Sequence, residues 1–198
     1  MLAAIISNTL KFEMEKELKK EIANYFLSDS REFLKRYELL KLHQTYLGNR
    51  SKLLIDILFS FECSIKSLIF LESQLDEKET YKKVFSHNLK DLLKLVDTQL
   101  IPEIVSTIDD NFEHFSVSSR YALEANIYFR NSVGVLDGLY YSTIANHSWL
   151  DNLYQKANNL YDYVSSKIDN SIKTISFDEI DIEKEIEKTN RLKKLKQK

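Results

Sequence analysis

Only four residues in this 198-residue chain readily interrupt a helix: Gly48, Pro102, Gly134 and Gly138. Average usage would supply roughly 14 Gly and 10 Pro over the same length. Sandwiches and barrels need turn residues at short, regular intervals, and phosphate-cradling loops need glycines, so both are excluded. What remains is an all-α chain of long helices joined by short polar turns. With 43% hydrophobic and 29% charged residues, it has enough apolar side chain for a real core and is not a disordered polymer.

Helical periodicity places the elements. A weakly amphipathic segment runs from Leu2 to Phe26, and Ser28-Asp29-Ser30 offers caps, with Asp29 and Glu32 spaced as a capping box. A second helix carries Phe33, Tyr37, Leu40 and Leu47, and Gly48-Asn49 is its stop signal. The third repeats Leu54, Leu58, Phe61, Ile65 and Leu68 at alternating four- and three-residue steps, which buries one stripe. A polar stretch from Leu75 to Ser86 follows. Then a short helix shows Leu89, Leu92, Leu93 and Val96 on one face. Pro102 suits the first position of the next, with Ile104, Val105, Ile108 and Phe112 inward. Residues 109–119 read as an irregular link, and a long helix runs from Arg120 to about Asn146. After a break at His147-Ser148, the last core helix holds Leu150, Leu153, Ala157, Leu160, Val164 and Ile168. The expected architecture is an antiparallel bundle of six or seven helices. It divides into an N-terminal helical segment (1–27), the bundle (28–170) and a charged, helical C-terminal extension (171–198).

Net charge is −2, so the chain as a whole is not a basic nucleic-acid binder, but the charge is uneven. Six acids lie between Asp178 and Glu187, and five bases between Arg191 and Lys198. Such a basic tail reads first as a solvated end, and second as a contact for nucleic acid or a partner. Cys63 is the sole cysteine, which rules out a disulfide framework and fits a reducing, cytoplasmic setting. Its apolar neighbours make it a small core residue before a nucleophile. The six apolar residues at the start lack a basic flank and do not read as a signal peptide. Asp56, Glu62 and Lys66 interrupt the most apolar stretch, so no membrane span is expected.

Several chemistries lack their residues. No His follows a Glu at the spacing of a di-iron bundle, and no cysteine pair is available for zinc, so no metal and no cofactor is expected. Neither a Walker A loop nor a GxGxxG fingerprint nor a GxSxG elbow occurs.

One constellation is distinctive. Ser60 to Ile69 contains Glu62 and Lys66, and after the polar link Ser86-His87-Asn88-Leu89 opens a helix. Elementary chemistry accounts for these residues structurally. Glu62 and Lys66 are an i,i+4 pair in the favourable order. Ser86 or Asn88 caps the helix, and His87 packs at the turn. The same pattern resembles the HEPN superfamily (higher eukaryotes and prokaryotes nucleotide-binding) over residues 50–145. The resemblance implies a helical bundle associated with RNA or a nucleotide, often in bacterial defence, stress or toxin–antitoxin modules, with Glu62, Lys66, His87 and Asn88 as its structural motif.

Active HEPN ribonucleases pair an Arg with a His roughly two helical turns later, and two copies meet across a dimer. Such a site is a metal-independent endoribonuclease: Arg neutralises phosphate, and His moves protons to or from the ribose hydroxyl. Arg130-Asn131 begins such a motif here, but Asp137 stands where the His belongs. The resemblance therefore implies Arg130, Asn131 and Asp137 as the candidate catalytic positions, in a chain that leans away from catalysis. Arg36 and His43 also match the spacing loosely, on an earlier helix.

Gly134 and Gly138 lie one turn apart inside a helix, where each costs about 1 kcal/mol relative to Ala. Close approach of a second helix explains both. That contact is either inside one chain or a homodimer through Gly134, Gly138 and Tyr141. Tyrosines crowd the C-terminal half, as suits core and interface packing. Three functional classes follow: a HEPN-like, RNA- or nucleotide-associated protein; a helical protein–protein interaction module with no nucleic-acid role; and a ribonuclease with a non-standard site.

Overall fold

The computed structural model describes residues 2–43, 47–111, 142–168 and 182–195, and every regular element among them is helical. The elements are α1 (Leu2–Lys41), α2 (Leu47–Glu72), α3 (Glu77–Lys83), α4 (Leu89–Leu93), a 3-10 turn (Thr98–Leu100), α5 (Pro102–Asn111), α6 (His147–Lys167) and α7 (Ile182–Leu195). The all-α bundle expected from the shortage of breakers is what the chain forms.

α2 is the central helix. Between Leu53 and Phe70 nearly every side chain is buried, as expected of a helix covered on all sides. α1 runs antiparallel to it: Lys19 reaches Ser73, Ser30 meets Ser60 and Ser64, and Arg36 meets Asp56. α6 is antiparallel to α1, pairing Lys41 with Asp151 and Glu38 with Tyr154. It consequently runs parallel to α2, with Arg50 bound to the Ala145 carbonyl at one end and Lys167 to Glu72 at the other. The core stripe read for α6, from Leu150 to Ile168, is buried at all six positions, as are all five positions of the α2 stripe.

Several local expectations are corrected. α1 does not break at Ser28-Asp29-Ser30, and position 27 lies inside it. Its buried face continues through Leu18, Ile22, Ala23, Leu27, Ser30, Leu34 and Tyr37, so packing against α2 overrides the capping preference. Ser30 is no cap. Its hydroxyl sits 2.8 Å from those of both Ser60 and Ser64, a small polar contact that lets the two helices approach. Gly48 does not close a helix either; it falls in the first turn of α2, while α1 ends at Lys41. The polar stretch after α2 contains a further helix, α3, capped by Asp76. Pro102 opens α5 as expected, whereas the break read at His147-Ser148 falls just before those residues: Asn146 caps α6, and His147 and Ser148 form its first turn.

α7 has no fully buried residue, yet it is not a free tail. Lys184 pairs with Glu17 at 2.7 Å and Lys188 with Glu21 at 3.1 Å. Arg191 binds both oxygens of the buried Glu77 through Nε and Nη2. Leu192 and Leu195 rest in a groove with Ile22, Tyr25, Phe26 and Tyr81. Arg191 is thus spent inside the molecule and unavailable as a phosphate contact. Arg191→Ala is expected to release α7 at a cost of about 1–2 kcal/mol, the scale of a partly exposed charged hydrogen-bond pair. Trypsin should then cut at Lys184 and Lys188 before the α1–α2–α6 core is attacked. Unchanged cleavage would show that the leucines alone hold the helix.

Candidate functional site

A helix buried on all sides must satisfy each polar side chain it carries. Along α2, Ser60 and Ser64 are met by Ser30, and Ser67 donates to the Ala23 carbonyl at 2.8 Å. Glu62 and Lys66 are each only 6% exposed and satisfy one another, with Nζ of Lys66 2.7 Å from Oε1 of Glu62. The Lys66 ammonium also lies 5.9 Å from the centre of the Phe26 ring. Cys63 is buried between them in sequence. Burial, reinforced by the Glu62 charge, pushes its thiol up to about 12, which removes it as a nucleophile at neutral pH.

His87 completes the cluster. Its Nδ1 stands 2.9 Å from the same Oε1 of Glu62 that accepts Lys66. The turn that carries it is set locally: Ser86 Oγ accepts from the Asn88 amide at 3.0 Å, and the Asn88 side chain accepts from the amides of Lys90 and Asp91 as the N-cap of α4. Leu89, Leu92 and Leu93 then bury the inner face of α4 and hold it against the core. The structure therefore brings Glu62, Lys66 and His87 to one point, with Asn88 building the turn. The roles are unequal: the carboxylate and ammonium are interior, whereas the imidazole side chain is 66% exposed. Nε2 of His87 has no partner among the described residues, so a carboxylate-braced imidazole faces outward. In such a pair the carboxylate fixes the orientation of the ring.

A second polar feature of α2 was not legible as a site. Asp56 is 1% exposed, and neither of its oxygens accepts a hydrogen bond. Its compensation is the Arg36 guanidinium at 3.1 Å, whose own side chain is 59% exposed. Burial raises the Asp56 carboxyl to about 6, and Arg36 restrains the rise. The loose Arg36/His43 match thus fails as a site: Arg36 serves Asp56, and His43 lies beyond the end of α1, in the turn.

Between α1 and α6, Tyr37 stacks on Tyr154 with ring centres 4.6 Å apart and donates to Asp151 at 2.7 Å. Lys41 donates to the same carboxylate oxygen at 2.6 Å. Burial alone would raise the Asp151 carboxyl, but the hydrogen bonds from Lys41 and Tyr37 outweigh it and hold the group below its ordinary value. Burial and the Asp151 contact drive the Tyr37 hydroxyl well above the usual phenol range. This cluster fastens two helices and offers no group poised for proton transfer near neutrality.

Arg130, Asn131 and Asp137, with Arg120 and the candidate interface Gly134, Gly138 and Tyr141, lie outside the described residues. Among the described residues no group of three or more His, Cys, Asp or Glu side chains is placed to hold a metal ion. Nor is any described helix long and apolar enough to cross a membrane. No protein-family model, curated protein or solved structure matches the chain.

Proposed function

We propose that this chain is a HEPN-like helical protein that associates with RNA or a nucleotide, in a defence-, stress- or toxin-type setting, and lacks the Arg–His ribonuclease motif. The observation that supports the reading is the meeting of Glu62, Lys66 and His87, with Asn88 capping α4, from two chain segments separated by a polar link. The reading includes a cytoplasmic homodimer built on Gly134, Gly138 and Tyr141. It is tested with the whole chain and total RNA at low salt in EDTA. The expected result is a mobility shift without cleavage. Absence of any shift would sink it and favour a protein–protein interaction module.

One observation favours a second reading, a metal-independent ribonuclease with a non-standard site. The outward imidazole of His87, braced by Glu62, has the form of a general acid–base group. Cleavage in EDTA that disappears in His87→Ala and persists in Arg130→Ala would move the assignment there.

A further inference from the structure

A cavity of about 460 Å³ opens where α1 passes the C-terminal end of α2 and the end of α6. Four of its lining residues are lysines, Lys16, Lys19, Lys20 and Lys167, and two are carboxylates, Glu15 and Glu72. The positive excess is not an accident of counting, because the ion pairs around it are already assigned. Lys167 takes Glu72 at 3.0 Å. Lys19 donates to the carbonyls of Ser73 (2.8 Å) and Leu75 (3.0 Å), where α2 has ended and its dipole is negative. Of the acids flanking the other two lysines in sequence, Glu17 and Glu21 are held by Lys184 and Lys188 of α7, while Glu15 lines the cavity beside Lys16, so four lysines face two carboxylates. Lys16 and Lys20 are left with no carboxylate at ion-pair distance among the described residues. They are also an i,i+4 like-charge pair, a mildly unfavourable arrangement in an otherwise acidic protein.

We propose that this cavity binds a compact polyphosphate group, of the kind a nucleoside di- or triphosphate carries. Lys16 and Lys20 are the contacts that remain open, and Lys19 is held between them on α1 by its bonds to the end of α2. Lysine ammoniums act on phosphate as point charges, so the site reads charge and is indifferent to the base. Phe70 and Leu71, which also line it, give an apolar floor that lowers the local dielectric. The inference stands on α1, α2 and α6 and does not rest on the HEPN-like reading.

Titration calorimetry on the whole chain at low salt tests it, with tripolyphosphate, ATP, AMP and adenosine as probes. Tripolyphosphate and ATP should bind with similar affinity and compete, AMP more weakly, and adenosine not at all. Lys16→Ala with Lys20→Ala should weaken tripolyphosphate at least about tenfold, the loss of two charge-assisted contacts. Both positions are on α1, where Ala is a better helix former than Lys, so the variant should melt like the parent. Lys52→Ala with Lys78→Ala, exposed lysines that are not among the lining residues, should bind like the parent. The proposal is overturned by absence of tripolyphosphate binding to the parent, by an equal loss in the Lys52/Lys78 variant, or by ATP binding that survives loss of Lys16 and Lys20. Each of these outcomes leaves the RNA mobility shift untouched and separately decidable.

Discussion

Glu62→Ala should lower the free energy of unfolding by about 3–5 kcal/mol, the scale of a buried ion pair broken from one side. The reason is what the substitution leaves behind. Lys66 stays on α2 with its ammonium buried, and its hydrogen bond to Oε1 is gone. The Phe26 face offsets only part of the desolvation. Urea denaturation reads the effect directly, as a lower midpoint at unchanged slope. Two companions separate the causes. His87→Ala, at an exposed position, should cost less than about 1 kcal/mol. The double change Glu62→Met with Lys66→Met should recover most of the loss, because an apolar pair of similar volume carries no desolvation cost. If Glu62→Ala is as mild as His87→Ala, the pair is wet and the interior reading of this cluster is wrong.

The second large effect is a pH dependence centred on Asp56. In the folded chain its carboxyl sits near 6, raised by burial from an ordinary value of 3.8. A folded value above the unfolded one means that the unfolded state ionises first. The group therefore costs nothing below about pH 4, and its cost grows as pH rises and is complete above about pH 6. A shift of this size corresponds to about 2–3 kcal/mol. Asp56→Asn cannot ionise, so its stability relative to the parent should rise by that amount between pH 4 and pH 7.5. Taking the difference between the two proteins matters, because Asp151 is shifted the other way and favours the folded state as pH rises. A difference that stays flat with pH would show that Arg36 holds Asp56 ionised throughout. Arg36→Ala should push the midpoint of the dependence upward, since the guanidinium is what restrains the shift.

Asp56 and Ser30 show where local reading runs out. Both look in sequence like ordinary polar residues, Asp56 as an interruption of an apolar stretch and Ser30 as one of three caps. Neither signal says that α1 and α2 pass each other antiparallel at those positions, because that depends on residues some twenty to thirty-four places away. The stripes of α2 and α6 were legible because burial at helical spacing is a local pattern. Glu62 with Lys66, and His87 with Asn88, were legible as two separate local features, and only the resemblance to the HEPN superfamily joined them into one group. The first two sit one turn apart, and the last two carry the chemistry of a helix start. That Glu62 serves Lys66 and His87 with one oxygen was not legible, since it needs α4 folded back on α2. The lysine cavity had no sequence signal. Lys16 and Lys20 are surrounded by acids in the chain, and two of those acids, Glu17 and Glu21, are taken up only by the docking of α7.

The scarcity of glycine and proline, with the period of the apolar residues, was sufficient to determine an all-helical bundle and most of its inward faces. Those are properties of short segments, set by backbone freedom and by which side chains share a helix face. Helix lengths, partners and charges in use were decided by tertiary packing. α1 continues through its cap signals because its apolar face continues, Gly48 opens a helix because α2 has a core to enter, and Arg191 is consumed by Glu77 because α7 lies against α3. Desolvation is the physical reason. It acts on a side chain only when distant parts of the chain have covered it, so the state of a charge is a property of the folded whole.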